Sequence, residues 1–304
     1  MPKPDCLGFE TNEEMIKKIK PEAYIKRLLI IDGSNLLFQM FFGMPSRIIN
    51  SDGKAIHGIL GFVGALLKII RRTEPTHISV LFDGEHENNR SELNTDYKAN
   101  RIDYSQIPEE ESPFSQLLDV YQALDYLDIK HAETTTCETD DWIAGYAYTY
   151  GHESEIIISS FDSDFFQLIT DMVSVLRYRG DNTIICTPTY INDKFNIDPK
   201  QYADFKSLTG DVSDNIKGAD RVGPKTASLL LCEFGDLENV LSNTEAIKKS
   251  SIRESIIMNA DRLRTNYKLI KLNNSEPLPF PLYELAYQYN GITTNEVLKG
   301  INLK

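Results

Sequence analysis

The stretch Arg27–Asn35, Arg-Leu-Leu-Ile-Ile-Asp-Gly-Ser-Asn, decides the fold. Its first five residues predict a buried strand, and the Asp-Gly-Ser-Asn sequence ends that strand abruptly. Two later apolar runs have the same design, because Ile78–Phe82 is followed directly by Asp83 and Glu155–Ser160 is followed by Phe-Asp, with the carboxylate at Asp162. The sequence therefore predicts three strands that each end near a carboxylate.

Helical patterns separate these three runs, at Leu36–Phe42, Gly58–Arg72 and Gln116–Leu127. Apolar strands that alternate with helices are typical of βαβ units and a largely parallel sheet. Ligands of such sheets bind beyond the carboxyl ends of the strands. One Asp after a strand is common turn chemistry, but three of them, all expected at one edge, indicate a site. A hairpin is predicted beside the sheet from Ser174–Arg177 and Thr183–Cys186.

A second acidic feature is the run Cys137–Trp142, which contains Glu138, Asp140 and Asp141. It is predicted to begin a helix capped by Thr135 or Thr136, with Glu138 and Asp141 on one helical face. The helix N-terminus offsets roughly 0.3–1 kcal/mol per acidic group, whereas two charges about 4 Å apart repel by ~4 kcal/mol at an intermediate dielectric. Alone, the run could be a solvated acidic cap; beside the strand-end carboxylates it indicates a cation site.

Composition limits the function classes. The chain has 304 residues, 41% of them hydrophobic, and a net charge of −13. Residues 197–304 hold 14 Lys and Arg against 14 Asp and Glu, so the whole deficit lies in residues 1–196, with 18 against 31. The four cysteines are scattered, which argues against a zinc site or a disulfide framework. No signal peptide or membrane-spanning run is present, so we expect a cytoplasmic protein.

Carboxylates without histidine or cysteine partners nearby in sequence favour hard cations, Mg²⁺ or Mn²⁺. Two such ions about 4 Å apart can activate water and stabilise the leaving oxygen in phosphoryl transfer. An EF-hand is excluded because its loop pattern is missing. The candidate acidic set is Asp32, Asp83, Glu138, Asp140, Asp141, Asp162, Asp164, Asp211 and Asp214.

Two further segments flank this acidic set in sequence. Residues 85–112 are polar and acidic with interspersed cations, which fits either a surface insertion or a lid beside the site. A helix predicted at Lys200–Leu208 is followed by the glycine-rich turn Gly218–Ala227, and a second helix runs from Pro224 to near Gly235. Such a turn at a helix start is either a plain loop or a phosphate-binding site.

Seven short motifs occur here in a fixed order: IDGSN from residue 31, FDG from 82, YKANR from 97, ETDD from 138, DSDFFQL from 162, GDVSDN from 210 and GADRVGPKTA from 218. In this order the chain resembles the flap endonuclease/5'-nuclease family of bacterial and phage type, including the 5'-nuclease domain of bacterial DNA polymerase I. The resemblance covers roughly residues 27–272. It implies an α/β, PIN-like fold with a central mixed, largely parallel sheet, a helical arch and a helix-three-turn-helix region.

The resemblance also assigns roles to single residues. Five acids would mainly hold a first metal: Asp32, Asp83, Glu138, Asp140 and Asp162. Asp164, Asp211 and Asp214 would serve a second metal, with Asp141 near both. Lys98, Arg90 and Arg101 would be catalytic cations of the arch. Residues implied to contact DNA are Tyr97 (which could instead pack inside the arch), Gly218, Val222, Gly223, Lys225 and Thr226.

The same resemblance implies 5'-3' exonuclease and flap endonuclease activity on duplex and 5'-flap DNA in replication and repair, without sequence specificity. It implies two or more Mg²⁺ or Mn²⁺ ions, and K⁺ at the helix-three-turn-helix loop. We expect a monomer with an extension at 1–26, a nuclease domain at 27–196 with its arch at about 85–112, and a DNA-binding region at 197–304 with the hairpin at about 200–235. No polymerase segment follows residue 304, which predicts a stand-alone nuclease. A PIN-like ribonuclease and a non-catalytic binder of branched DNA are the alternatives.

Overall fold

A computed structural model describes residues 26–84, 97–100 and 104–303. The predicted extension, apart from Lys26, and much of the predicted arch lie outside these residues. A six-stranded sheet forms the centre, in the spatial order β3-β2-β1-β4-β5-β6. Its strands are β1 Lys26–Asp32, β2 His77–Phe82, β3 Lys130–Glu133, β4 Ser154–Ser159, β5 Val173–Arg177 and β6 Ile184–Cys186.

The first five strands are parallel, and β6 alone runs antiparallel, against β5. The predicted hairpin therefore extends the sheet itself. The described part of the first half of the chain contains four α-helices: α1 Gly33–Gly43, α2 His57–Thr73, α3 Leu117–Tyr126 and α4 Thr139–Tyr150. The predicted fold class, a mixed and largely parallel sheet flanked by helices, is confirmed.

Strand β1 shows why the sheet has two covered faces. Leu28 and Ile30 are fully buried in one apolar cluster, which includes residues of α4. Leu29 and Ile31 are fully buried in the other, which includes residues of α1 to α3. Because successive side chains of a strand point to opposite faces, an uninterrupted apolar run fits a strand buried on both sides.

The second half of the chain is mainly helical. Its helices are α5 Pro188–Phe195, α6 Tyr202–Thr209, α7 Pro224–Phe234, α8 Leu237–Ser242, α9 Ser250–Met258, α10 Ala260–Ile270 and α11 Thr294–Gly300. A short ribbon, β7 Gly210–Asp211 with β8 Ile216–Lys217, joins α6 to the glycine-rich turn. Apolar residues of α6 to α9 belong to the same cluster as the α4 face of the sheet, whereas α11 returns to the α2 face. Among the described helices, none has the length and apolar character needed to cross a membrane.

Candidate active site and metal centre

The carboxyl ends of β1 and β2 place Asp32 and Asp83 at one edge of the sheet, since these neighbouring strands are parallel. Asp32 is the N-cap of α1, and its Oδ1 accepts a hydrogen bond from the Asn35 amide at 3.0 Å. The amide of Asp83 donates to Ser34 Oγ at 2.9 Å. The Asp-Gly-Ser-Asn turn therefore fixes the Asp32 carboxylate and the backbone of Asp83 as it starts the helix.

The acidic helix start lies beside these two carboxylates, but the helix begins later than predicted, at Thr139. Glu138 is the N-cap in extended conformation, so the helical period begins only at Thr139. No capping bond comes from Thr135 or Thr136; instead Asp83 Oδ1 accepts from the Thr139 amide at 3.0 Å. The prediction that Thr135 or Thr136 caps the helix is wrong, since Glu138 takes the cap position three residues before Asp141.

The two flanking acids of this start have separate partners. Glu138 Oε1 accepts from Lys98 Nζ at 2.5 Å, and Asp141 Oδ1 accepts from the Asn273 amide at 2.9 Å. The charge of Asp140 interacts with those of Asp32, Asp83 and Asp162. Asp141 thus connects the helix start to the C-terminal region by a hydrogen bond. The charge of Asp140 is repelled by the charges of the strand-end acids.

The loop after β4 completes this acidic edge. Ser160 Oγ donates to Asp32 Oδ2 at 2.7 Å and accepts from the Asp162 amide at 3.0 Å. Asp162 Oδ1 in turn accepts from the Asp164 amide at 2.7 Å. Arg177, at the end of β5, donates to the carbonyl of Phe161 and stacks over its ring at 5.5 Å. This network holds Asp162 between the first acids and Asp164.

A second acidic group lies next to the first. Asp164, Asp211 and Asp214 offer carboxylate oxygens that all lie within 4.8 Å of one another. Lys206 of α6 lies among them: its Nζ contacts Asp164 Oδ1 at 2.5 Å and forms an ion pair with Asp211 Oδ2. Sequence reasoning missed Lys206, because a lysine on a short helix has no pattern that separates a buried cation from a solvated one.

Charge crowding shows in the acidity of these groups. Burial, followed by repulsion from Asp83, raises the pKa of Asp32 to about 7. Burial and the neighbouring Asp162 raise the pKa of Asp140 well above its usual range. Burial outweighs the attraction of Lys206 and raises the pKa of Asp164 to about 7. Burial would also raise the pKa of Asp211, but Lys206 outweighs it and lowers that pKa.

The four residues 97–100 join the predicted arch to this site. The Lys98 amide donates to the Asp214 carbonyl at 3.1 Å, and Asn100 Nδ2 donates to the Val212 carbonyl at 3.2 Å. Tyr97 is 7% exposed and packs in an apolar cluster with Ile216 and residues of α10. Of the two roles considered for this side chain, contact with DNA and packing, the contacts favour packing. Arg90 and Arg101 lie outside the described residues.

The glycine-rich turn lies between β8 and α7. At Gly218 a Cβ would meet the Thr209 carbonyl carbon at 2.3 Å and the Gly210 nitrogen at 2.5 Å, so the ribbon requires glycine here. Val222 is buried in the core, whereas Lys225 is exposed and Thr226 half-buried at the start of α7. Gly223 is the N-cap of α7 and faces open space.

Family models match the chain over most of its length. Residues 27–196 match the N-terminal resolvase-like domain of 5'-3' exonucleases, and residues 197–292 match their C-terminal SAM fold. The chain belongs to the 5'-3' exonuclease family. The family predicted from the seven motifs is therefore confirmed.

Individual relatives agree with this family. The thermostable DNA polymerase I of Thermus thermophilus is 32% identical over 271 residues, which span 89% of this chain and 31% of that protein. The DNA polymerase I of Rhizobium leguminosarum is 34% identical over 269 residues, 86% of this chain and 26% of that protein. The chain thus spans less than a third of the length of these curated relatives.

Solved structures share the fold. The crystal structure of the T5 D15 protein co-crystallized with metal ions superimposes with a TM-score of 0.66 and 23% identity, covering 81% of this chain and 89% of that one. The catalytic core of Rad2 in complex with DNA substrate gives a TM-score of 0.56 at 14% identity, over 91% of this chain and 93% of that one. The 5'-3' exonuclease fold therefore extends across the sheet and the helical region.

Proposed function

We propose that this chain is a divalent-metal-dependent 5' nuclease that hydrolyses phosphodiester bonds of DNA, as a 5'-3' exonuclease and a flap endonuclease. The observation that carries the proposal is the convergence of strand-end carboxylates into two adjacent groups at one edge of the sheet. Family membership supports the reaction class. The T5 structure with metal ions and the Rad2 complex with DNA support the choice of cofactor and substrate for this chain.

The donor set fits hard cations. All of the ligand candidates are carboxylates, and Asp32 and Asp164 are buried without enough positive charge to restore their usual acidity. Mg²⁺ or Mn²⁺ is the kind of ion that such oxygens bind. The first group comprises Asp32, Asp83, Glu138, Asp140 and Asp162, with Asp141 tied to Asn273 at its margin. The second group comprises Asp164, Asp211 and Asp214.

Bound divalent ions supply an activated water and charge stabilisation for the leaving oxygen of an in-line displacement. The residues of the chain do the rest. Ser160 and the Asn35 amide fix the Asp32 carboxylate by hydrogen bonds, and the Thr139 amide fixes that of Asp83, so that these oxygens are positioned before substrate arrives. Lys98, with Arg90 and Arg101 in the arch, would offset charge that develops on the scissile phosphate.

The helical region would hold the duplex. The turn from Gly218 to Thr226 presents the α7 N-terminus and the exposed Lys225, which suit a phosphate of the DNA backbone. K⁺ on the carbonyls of this turn belongs to the same proposal. Contacts to phosphates position DNA without reading its sequence, so we expect no sequence specificity. Tyr97, since it is packed, contributes to the base of the arch rather than to stacking on a base.

A cleavage assay on 5'-flap DNA with Mg²⁺ tests the proposal, with EDTA and single-stranded RNA as comparisons. Asp162→Asn is the decisive variant, because an asparagine Oδ1 can still accept from the Asp164 amide while the charge is lost. We expect cleavage to be abolished and flap-DNA binding to be retained. Asp171→Asn, at an exposed position, is the matched control and should cleave normally. Turnover in EDTA, normal turnover by Asp162→Asn, or a preference for RNA would contradict the proposal.

A further inference from the structure

The ammonium group of Lys206 occupies the second acidic group from within the protein. Lys206 is only 7% exposed, although lysine is rarely buried unless it is paired. Its Nζ has three acceptors: Asp164 Oδ1 at 2.5 Å, Asp211 Oδ2, and Ser163 Oγ at 3.3 Å. An ammonium has three N–H donors, so every one of them can be used. This is a built cation site.

The position of the ammonium conflicts with that of a metal ion. A divalent ion would take oxygens of the same carboxylates, at about 2.0–2.6 Å for Mg²⁺ or Ca²⁺. An ion bound to an Asp164 oxygen that also contacts Nζ at 2.5 Å could lie no farther than about 5 Å from the ammonium. Like charges at that distance repel strongly in a partly desolvated site.

The length of the Lys206 side chain allows its ammonium to change position. The stem of Lys206 has four rotatable bonds, and its ammonium lies 6.0 Å from the centroid of the Tyr202 ring on the same helix. Asp214 belongs to the acidic group as well, and its backbone carbonyl accepts from the Lys98 amide. Rotation about the side-chain bonds can move the ammonium without any change in the helix backbone.

We propose that Lys206 is the resident counter-ion of the second metal site: it neutralises Asp164 and Asp211 in the metal-free protein, and a divalent ion binds there by displacing its ammonium. Lys206 consequently sets the affinity of the second site and keeps the metal-free fold stable. The inference rests on the proposed metal assignment, but it concerns the role of a residue outside the acidic set.

Binding of Mn²⁺ to the DNA-free protein at pH 8.5, followed by the electron paramagnetic resonance of free Mn²⁺, tests the inference. Lys206→Met keeps the length of the side chain and removes its charge, and Lys206→Arg keeps the charge. We expect Lys206→Met to bind the second Mn²⁺ at least tenfold more tightly and to have a lower Tm in EDTA. Lys206→Arg and Lys68→Met, the latter an exposed control on α2, should match the wild-type protein.

A measurement on the wild-type protein covers the case in which Lys206→Met does not fold. Reductive methylation followed by mass spectrometry should modify Lys206 slowly in EDTA and several times faster at Mn²⁺ concentrations that fill both sites. Unchanged methylation, or an unchanged or weaker second site in Lys206→Met, would overturn the inference. Asp211→Asn separates this failure from failure of the metal assignment itself, because it should lose the second Mn²⁺ whatever Lys206 does.

Discussion

Replacing Asp32 by Asn should stabilise the metal-free protein at neutral pH. Asp32 is 6% exposed, and its pKa is raised from 3.8 to about 7, mainly by burial. The folded chain therefore binds more protons at this group than the unfolded chain does between these two values. Stability falls as pH rises through that window, because ionisation is easier in the unfolded chain.

The size of the effect follows from the same two values. A difference of about three pKa units corresponds to about 4 kcal/mol at 1.36 kcal/mol per unit. Asparagine keeps an oxygen that can accept from the Asn35 amide, but Ser160 Oγ loses its carboxylate acceptor. Allowing for that bond, we expect Asp32→Asn to be about 2 to 4 kcal/mol more stable than the wild-type chain at pH 7.5.

Urea unfolding in EDTA at pH 4.5 and 7.5 measures this difference. The advantage of Asp32→Asn should be mostly lost at pH 4.5, where the folded wild-type chain keeps its proton at Asp32. Saturating Mg²⁺ at pH 7.5 should reverse the order, since the ion stabilises only the chain that binds it well. Asp193→Asn, at an exposed position, should change neither value. An Asp32→Asn chain no more stable than wild type at pH 7.5, or an advantage independent of pH, would refute the reasoning.

Three further predictions concern the cation of the arch and the glycine-rich turn. Lys98→Ala should slow flap cleavage far more than it weakens duplex binding, because Lys98 pairs with Glu138 inside the acidic group; equal losses would make Lys98 a plain DNA contact. Gly218→Ala should lower the free energy of unfolding by about 3 kcal/mol or more, because the added Cβ would overlap backbone atoms. Gly223→Ala, where the added Cβ meets no atom, should unfold like the wild-type chain but bind duplex more weakly in gel-shift titrations. Lys225→Ala should weaken binding to all duplexes alike and reduce the slope of log affinity against log salt by about one, as measured by fluorescence anisotropy.

The sequence predicts the strands buried on both faces most directly, and it also predicts the hairpin of β5 and the partly exposed β6. β1, β2 and β4 are continuous apolar runs, and each was predicted to within a residue or so at its ends. β3 was not predicted, because Lys130–Glu133 is short, polar and partly exposed at the edge of the sheet. Its position follows from pairing with β2, a long-range contact that leaves no periodic signal.

The acidic residues were predicted, but not all of their geometry. Residue type and position after a strand were enough to single out Asp32, Asp83 and Asp162. The start of the acidic helix was not predictable, since its first amide bonds to Asp83, a residue more than fifty positions away, rather than to a local threonine. Lys206 was not predicted for a related reason, because its burial depends on three acceptors that only the folded chain brings together.

Helix α10 explains how the two regions of the chain keep one geometry. Asn266 is 2% exposed, and its Nδ2 donates to the carbonyls of Ser207 and Lys217, which fixes the ribbon before the glycine-rich turn. At the C-terminal end of the helix, Gln167 of the acidic loop donates to the Ile270 carbonyl at 3.0 Å and accepts from the Leu272 amide at 3.1 Å. Buried polar groups that are fully paired specify one arrangement, because each lost bond leaves a desolvated atom. The distance between the proposed duplex grip and the acidic edge is therefore set by hydrogen bonds as well as by apolar packing.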